Sequence, residues 1–149
     1  MNWIYNNKEI TKLEDFGEPT PFGFIYEIEH IPSGKKYIGK KYLVHTLNKK
    51  LTKTELSEIT GRGRRPKTKP TFKESDWKTY WGSSKELIEL KDKEPESNFK
   101  RTILTLVPNK KLLTYYETKY LFIREVLERP KEYFNRDILG KFHTIDFEI

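Results

Sequence analysis

Cysteine is absent from the 149-residue chain. Without thiols neither a disulfide framework nor a thiolate zinc site can form, and imidazole is available only from His30, His45 and His143. Any metal is therefore expected on oxygen ligands. Long apolar runs are also missing: nothing approaches the roughly 20 residues needed to cross a bilayer, and the N-terminus lacks a charged start followed by an apolar core. The expectation is a cytosolic protein with no membrane partner. No GxSxG pattern and no phosphate-cradling P-loop is present, so nothing supports serine-hydrolase or P-loop chemistry.

Charged residues make up 34% of the chain and mean hydropathy is −0.82, yet 21 residues are Phe, Tyr or Trp. Those rings supply enough buried area to argue for a folded protein, and the length bounds it to one domain spanning residues 1–149. Net charge is +7, unevenly placed. Between Ile31 and Lys73 there are 13 Lys or Arg against Glu55 and Glu58. A basic face on a mildly acidic body points to a polyanionic partner, nucleic acid above all.

The most informative stretch is Phe22–Lys41. Phe22, Phe24, Tyr26 and Ile28 alternate with Gly23, Ile25, Glu27 and Glu29, the period of a strand. Ile31-Pro32-Ser33-Gly34 breaks it, and Lys35–Lys41 returns, which predicts an antiparallel hairpin. If residues 30 and 35 pair, Tyr26 faces Gly39, both Tyr26 and Tyr37 leave one face, and Ile25 and Ile38 leave the other. Two phenols flanking a glycine gap, with Lys35, Lys36, Lys40 and Lys41 nearby, offer a surface for phosphate. Phenols in such a cationic field are expected to ionise more easily.

Around the hairpin, residues 1–21 read as an irregular arm or short strand. Thr52–Glu55 offers a capping box for a short helix, about 53–59, and residues 60–74 read as an exposed basic loop. Ser83 or Ser84 can cap a helix to about Leu90, and Phe99–Val107 reads as a third strand stopped by Pro108. Asn109 can cap a long helix to about Leu127, and residues 130–149 form a docked tail. On that helix Glu117 lies four residues from Leu113 and Leu121, inside an apolar stripe. Spacing leaves two readings for it, a metal ligand or the closing residue of a Thr114–Glu117 capping box.

Phe24-Ile25-Tyr26 and Tyr37-Ile38-Gly39, eleven residues from tyrosine to tyrosine, resemble the two half-motifs of the GIY-YIG endonucleases. The first half carries Phe24 where the family has glycine, with Gly23 one residue earlier; the second half is complete. Glu117 in YYETKYLF matches the family's helix glutamate that binds one divalent metal, Asn135 in YFNRDI matches an asparagine after that helix, and ESDWKTYWGSS is typical of the phage-encoded, homing-type (Seg-like) branch. The family's arginine soon after the second half-motif has no counterpart in Leu43–Leu56. Arg62, Arg64 and Arg65 are the candidates, with Arg65 preferred, and Lys40, Lys41 or His45 can stand in.

The resemblance implies an α+β domain with a three-stranded antiparallel sheet flanked by helices. It implies metal-dependent cleavage of double-stranded DNA, with Mg²⁺ or Mn²⁺ on Glu117, water assisted by Tyr26 or Tyr37, and the phosphate steadied by a cation. Lys35, Lys36, Lys41, Arg62, Arg64, Lys67, Lys69 and Asn135 are the expected nucleic-acid contacts. The setting implied is the cytoplasm of a phage-infected host, and the state a monomer or homodimer. The alternatives are a non-catalytic nucleic-acid-binding module and an RNA-directed nuclease, since phosphate contacts do not distinguish the sugars.

Overall fold

The computed structural model describes residues 1–58 and 68–148, with backbone alone at 47–49 and 69–70. The chain divides into two compact units, residues 1–43 with 76–149, and residues 44–75. Among the described residues no helix is long and apolar enough to cross a membrane.

The first unit is built on a five-stranded sheet, ordered β2-β1-β7-β3-β4, where the sequence predicted three strands. The predicted three are β3 (Gly23–His30), β4 (Lys35–Tyr42) and β7 (Phe99–Val107), and they form one half of the sheet. The other two, β1 (Trp3–Tyr5) and β2 (Lys8–Ile10), come from the N-terminal arm. At three residues each they are too short for alternation to register. Their signal is the Asn6-Asn7 pair at φ 49° and 66°, the two left-handed positions of a tight hairpin turn. β1 then pairs in parallel with β7, while the other strand pairs are antiparallel.

The β3–β4 hairpin has the expected register: His30 pairs with Lys35 and Tyr26 with Gly39. Gly34 takes φ 71° in the turn. His30 packs behind it, 2.7 Å from the Ser33 hydroxyl and 2.9 Å from the Glu94 carboxylate. Ile25 and Ile38 leave one face and join Val107, Leu113, Leu121, Val126 and Leu127 in an aliphatic core. Phe24 and Tyr26 leave the other face, among Trp3, Phe16, Trp77 and Tyr80. The aliphatic face is covered by α3 (Lys110–Ile123), capped as predicted by Asn109, whose side chain accepts from the Leu112 N–H. α3 stops four residues earlier than predicted. Glu125 turns left-handed at φ 54°, and this folds Val126 and Leu127 back into the core. α2 (Lys85–Lys93) is capped by Ser84, not Ser83.

Trp77 and Trp81 are core residues, buried with Arg101. The Arg101 guanidinium lies between the Trp3 and Trp81 rings, 4.5 and 4.7 Å from their centres. It donates to the carbonyls of Tyr80 at 2.9 Å, Lys78 at 3.1 Å, and Met1. Burial draws its pKa down to about 10, so it remains a cation at neutral pH.

The second unit is an antiparallel ribbon of β5 (Val44–Lys50) and β6 (Thr68–Glu74), with α1 (Lys53–Glu58) following β5. The Thr52–Glu55 capping box forms as expected. The expected loop at 60–74 is therefore partly strand. Pro70 argued for a loop, but in a two-stranded ribbon both strands are edges, where a missing N–H is tolerated.

Arg101→Met is expected to lower stability by roughly 2–4 kcal/mol, because three carbonyls lose their donor in a buried setting. Arg101→Lys is expected to recover little of this, since an ammonium cannot reach them as a planar fork. Urea unfolding of the two variants checks both values.

Candidate active site

The site forms along the outer edge of β4, the last strand of the sheet. An edge strand leaves N–H and C=O groups unpaired, and here three different groups take them. At Lys36 the partners are backbone: its N–H donates to Glu132 at 2.9 Å, and its carbonyl accepts from Phe134 at 2.7 Å. At Ile38 the partner is the Asn135 side chain, which accepts from the N–H at 3.1 Å and donates to the carbonyl at 2.8 Å. At Lys40 the backbone N–H is near enough to the Glu117 carboxylate to favour its charged form. Asn135 is buried, with its amide engaged on β4, so the structure gives it a positioning role.

Tyr26, Tyr37 and Gly39 share the face opposite α3, as expected. A bulge in the β3–β7 ladder falls between Ile25 and Tyr26, a device that re-aims a side chain. The Tyr26 phenol lies under Gly39, where an added Cβ would stand 2.6 Å from Cζ, and its ring is in edge contact with Tyr80, 6.0 Å between centres. Tyr26 is only 1% exposed. Tyr37 is half-buried, its ring 6.2 Å from that of Tyr26, and its hydroxyl meets Ser83 Oγ at 2.8 Å. Gly82, at φ 85°, passes so close that a Cβ there would sit 2.9 Å from the Tyr37 ring. Beyond Tyr37 an open groove of about 540 Å³ is lined by Ser83, Ser84, Glu86, Phe134, Arg136 and Asp137 among others.

The electrostatics differ from the sequence expectation. Burial raises both phenols, Tyr26 well above the usual tyrosine value, and the Glu117 charge pushes each further up. Lys40 lies on the α3 face, donating to Thr114 Oγ1 at 3.0 Å, because residues 37 and 40 have opposite parity on one strand. Lys41 shares the tyrosine face but is paired with Asp76 and lies over the Tyr80 ring at 4.0 Å. Lys35 is paired with Glu86 at 2.8 Å, and Lys36 stands 3.9 Å from Glu27. Only Ser83 acts on a phenol in the other direction, its hydroxyl and backbone N–H both favouring a Tyr37 anion.

Glu117 is half-buried, and desolvation raises its pKa against the opposing pull of the Lys40 cation and N–H. Asn109 caps α3, so Glu117 lies two turns inside the helix and is not a capping residue. Asp137 is close enough to raise it further. Among the described residues no three His, Cys, Asp or Glu side chains converge as a metal cage. A lone carboxylate does suit a hard divalent cation that keeps most of its waters and takes phosphate oxygens as further ligands.

The remaining sequence candidates lie elsewhere. His45 is on β5, across from Lys73, in the second unit. Lys69 is on β6 of that unit. Arg62, Arg64, Arg65 and Lys67 fall outside the described residues. Sequence reasoning missed Tyr80, Gly82 and Ser83 as parts of the site. Their signal was the run Tyr80-Trp81-Gly82-Ser83-Ser84, in which Ser84 serves the helix and leaves the Ser83 hydroxyl for Tyr37.

A hairpin with paired tyrosines, an edge held by asparagine and a helix glutamate beside them define a GIY-YIG type of nuclease domain. The family model described as "Putative endonuclease segE, GIY-YIG domain" matches residues 3–138, and the chain belongs to that family. No curated protein and no solved structure matches it.

The geometry fixes the sign of two substitutions. The Glu117 carboxyl holds its proton more tightly folded than unfolded, so its ionised form costs stability above its folded pKa and the cost fades as pH falls through that value. Glu117→Gln removes the charge, and its thermal midpoint at neutral pH is expected to equal or exceed the parent's. Gly39→Ala forces a methyl against a Tyr26 ring that has no room to retreat, and is expected to cost about 1–3 kcal/mol by chemical denaturation.

Proposed function

We propose that this chain is a divalent-metal-dependent endonuclease that hydrolyses phosphodiester bonds of double-stranded DNA. The observation that carries the reading is the meeting of the Tyr37–Ser83 hydroxyl pair, Tyr26 and the desolvated Glu117 at one strand edge. Burying a carboxylate beside two phenols is unfavourable for the fold, and perturbed groups of this kind collect where chemistry is done.

Tyr37 is the phenol that reaches water, and Tyr26 is the packed one that fixes its place. In this reading a water molecule accepts its orientation from the Tyr37 oxygen and attacks phosphorus in line with the leaving sugar oxygen. As the new P–O bond forms, the water proton passes to Tyr37, the phenol proton passes to Ser83 Oγ, and the serine proton leaves for solvent. Such a relay suits a phenol that burial keeps neutral. The P–O bond to the leaving oxygen breaks, and a second water returns a proton to that oxygen. Glu117 would hold the divalent cation, with Lys40 beside it, and the cation would neutralise charge developing on the phosphate. Arg65, with Arg62 and Arg64 as alternatives, is assigned the family arginine's role of steadying the phosphate.

Magnesium-dependent nicking of supercoiled plasmid tests the proposal. Glu117→Gln is expected to abolish nicking while leaving folding and DNA binding intact. Tyr37→Phe is expected to lower the rate by about 10²–10⁴-fold, the usual contribution of a positioned acid or base. Because burial holds the Tyr37 phenol protonated past the usual tyrosine range and the relay uses that neutral form, the Tyr37→Phe loss should be the same at pH 6, 7 and 8, whereas a phenolate base would make the loss grow with pH. A parent that binds DNA but never nicks it with Mg²⁺ or Mn²⁺ is a binding module.

A further inference from the structure

Residues 1–43 and 76–149 hold 20 Lys or Arg against 19 Asp or Glu, so the unit with the candidate active site has no general surplus of positive charge to draw a polyanion. A phosphate backbone that enters the groove beside Tyr37 has to be met by particular cations. Two converge there on one carboxylate. Glu86, in the first turn of α2, accepts from Lys35 Nζ on Oε1 at 2.8 Å and from Arg136 Nη2 on Oε2 at 3.1 Å. Lys35 comes from the start of β4 and Arg136 from the tail just after Asn135, and both Glu86 and Arg136 line the groove.

The three side chains are not held equally. Arg136 Nη1 donates to the carbonyls of Tyr133 at 2.8 Å and Asn135 at 3.1 Å, and Nη2 is left for Glu86. Lys35 is 17% exposed, with its ammonium 4.9 Å from the centre of the Phe134 ring. Glu86 is 48% exposed, and among the described residues its carboxylate is hydrogen-bonded to those two cations alone. The Lys35 hydrogen bond, with Arg136 adding to it, holds the Glu86 carboxyl below the ordinary glutamate range, so it is charged at neutral pH. Bringing two cations together is unfavourable unless an anion lies between them. Packing and backbone carbonyls fix the cations, and the anion is the member that can leave.

A carboxylate with one oxygen on each cation has the charge and the fork of the two non-bridging oxygens of a phosphodiester, which arginine matches in the same way. Glu89 and Asp137 also line the groove, so phosphate is repelled from the rest of its wall. A uniformly basic wall binds a backbone in any register. One cationic notch among acids fixes the register, and phosphate contacts of that kind position a strand without reading its sequence.

We infer that Lys35 and Arg136 form a subsite for a non-scissile phosphate of the DNA backbone, that Glu86 fills it in the free protein, and that an incoming phosphodiester displaces Glu86 and sets the strand's register along the groove beside Tyr37. This rests on the nuclease reading for its ligand class, but binding is measurable without cleavage.

The test uses the full chain in EDTA with a short fluorescent DNA duplex as the probe, read by anisotropy over a range of salt. Glu86→Gln keeps the shape and loses the competing charge, and is expected to tighten binding by about 3- to 10-fold, the range that two half-exposed ion pairs convert to. Glu89→Gln removes a charge from the same groove without freeing a cation, and is expected to change affinity by less than about twofold. Lys35→Gln with Arg136→Gln is expected to lower the slope of log Kobs against log salt by about 0.9, one phosphate contact, and to abolish the Glu86→Gln gain. Because Arg136 also anchors the tail, Lys35→Gln alone, which leaves that anchor in place, is expected to cut the gain as well.

A Glu86→Gln gain no larger than that of Glu89→Gln, or an equal gain when both cations are gone, overturns the inference and returns Glu86 to an ion pair tying α2 to the tail. A parent that fails to bind the duplex overturns it too. Nicking by the parent together with any of these results sinks the subsite alone. The expected gains in a protein that never nicks with Mg²⁺ or Mn²⁺ sink the nuclease reading alone.

Discussion

The outer edge of β4 is the constraint on which the site depends. A sheet edge exposes backbone donors and acceptors at every second residue, and burying them without partners costs more than the bonds they would make. This protein closes the edge in three steps: tail backbone at Lys36, the Asn135 amide at Ile38 and the Glu117 carboxylate at Lys40. Each step lies one pleat repeat beyond the last. The same requirement docks the C-terminal tail, buries Asn135 and draws a helix glutamate to the strand that carries Tyr37 and Gly39. Glu117 thus lies by the strand edge while keeping oxygen lone pairs for another partner.

A carboxylate placed this way is not balanced by its surroundings. Desolvation outweighs the Lys40 cation and N–H, and the neighbouring phenols are raised by the Glu117 charge in turn. Lys40 offsets only part of the strain, and Lys35, Lys36 and Lys41 each face an acid of their own unit. The arrangement makes sense for a place where a cation and a phosphate arrive together, since the cation balances the carboxylate and the phosphate in turn balances the cation.

Much of this was legible in the chain. The hairpin register followed from the length of the Ile31–Gly34 turn, and the Asn109 cap placed Glu117 inside α3. Period two also separates Tyr37 from Lys40, but grouping the lysines by proximity in sequence put a cationic field where the pleat does not. Other features had no adequate local signal. β1 and β2 owe their place to pairing with β7, and three-residue strands carry no pattern of their own. β6 was hidden by Pro70, which only the two-stranded setting makes acceptable. The role of Ser83 depends on Tyr37, 46 residues away in sequence, and no spacing rule reaches that far.

The departure at Phe24 is explained by the packing around Tyr26. Phe24 and Tyr26 lie on one face of β3, in edge contact with Trp3 and with each other, so a ring at position 24 fills the aromatic layer. Gly23 instead meets the crossing: a Cβ there would come within 2.5 Å of the Lys41 carbonyl and against Leu113 of α3. Close approach by helix and strand thus requires glycine at 23, on the α3 face, while the opposite face at 24 tolerates bulk. The bulky layer in turn holds Tyr26 against Gly39 and beside Gly82, and each glycine is required by a ring that has nowhere else to go. With the Tyr26 ring fixed, Tyr37 is left the side facing the groove, where its hydroxyl finds Ser83. The exposed phenol is therefore selected by how the buried one packs.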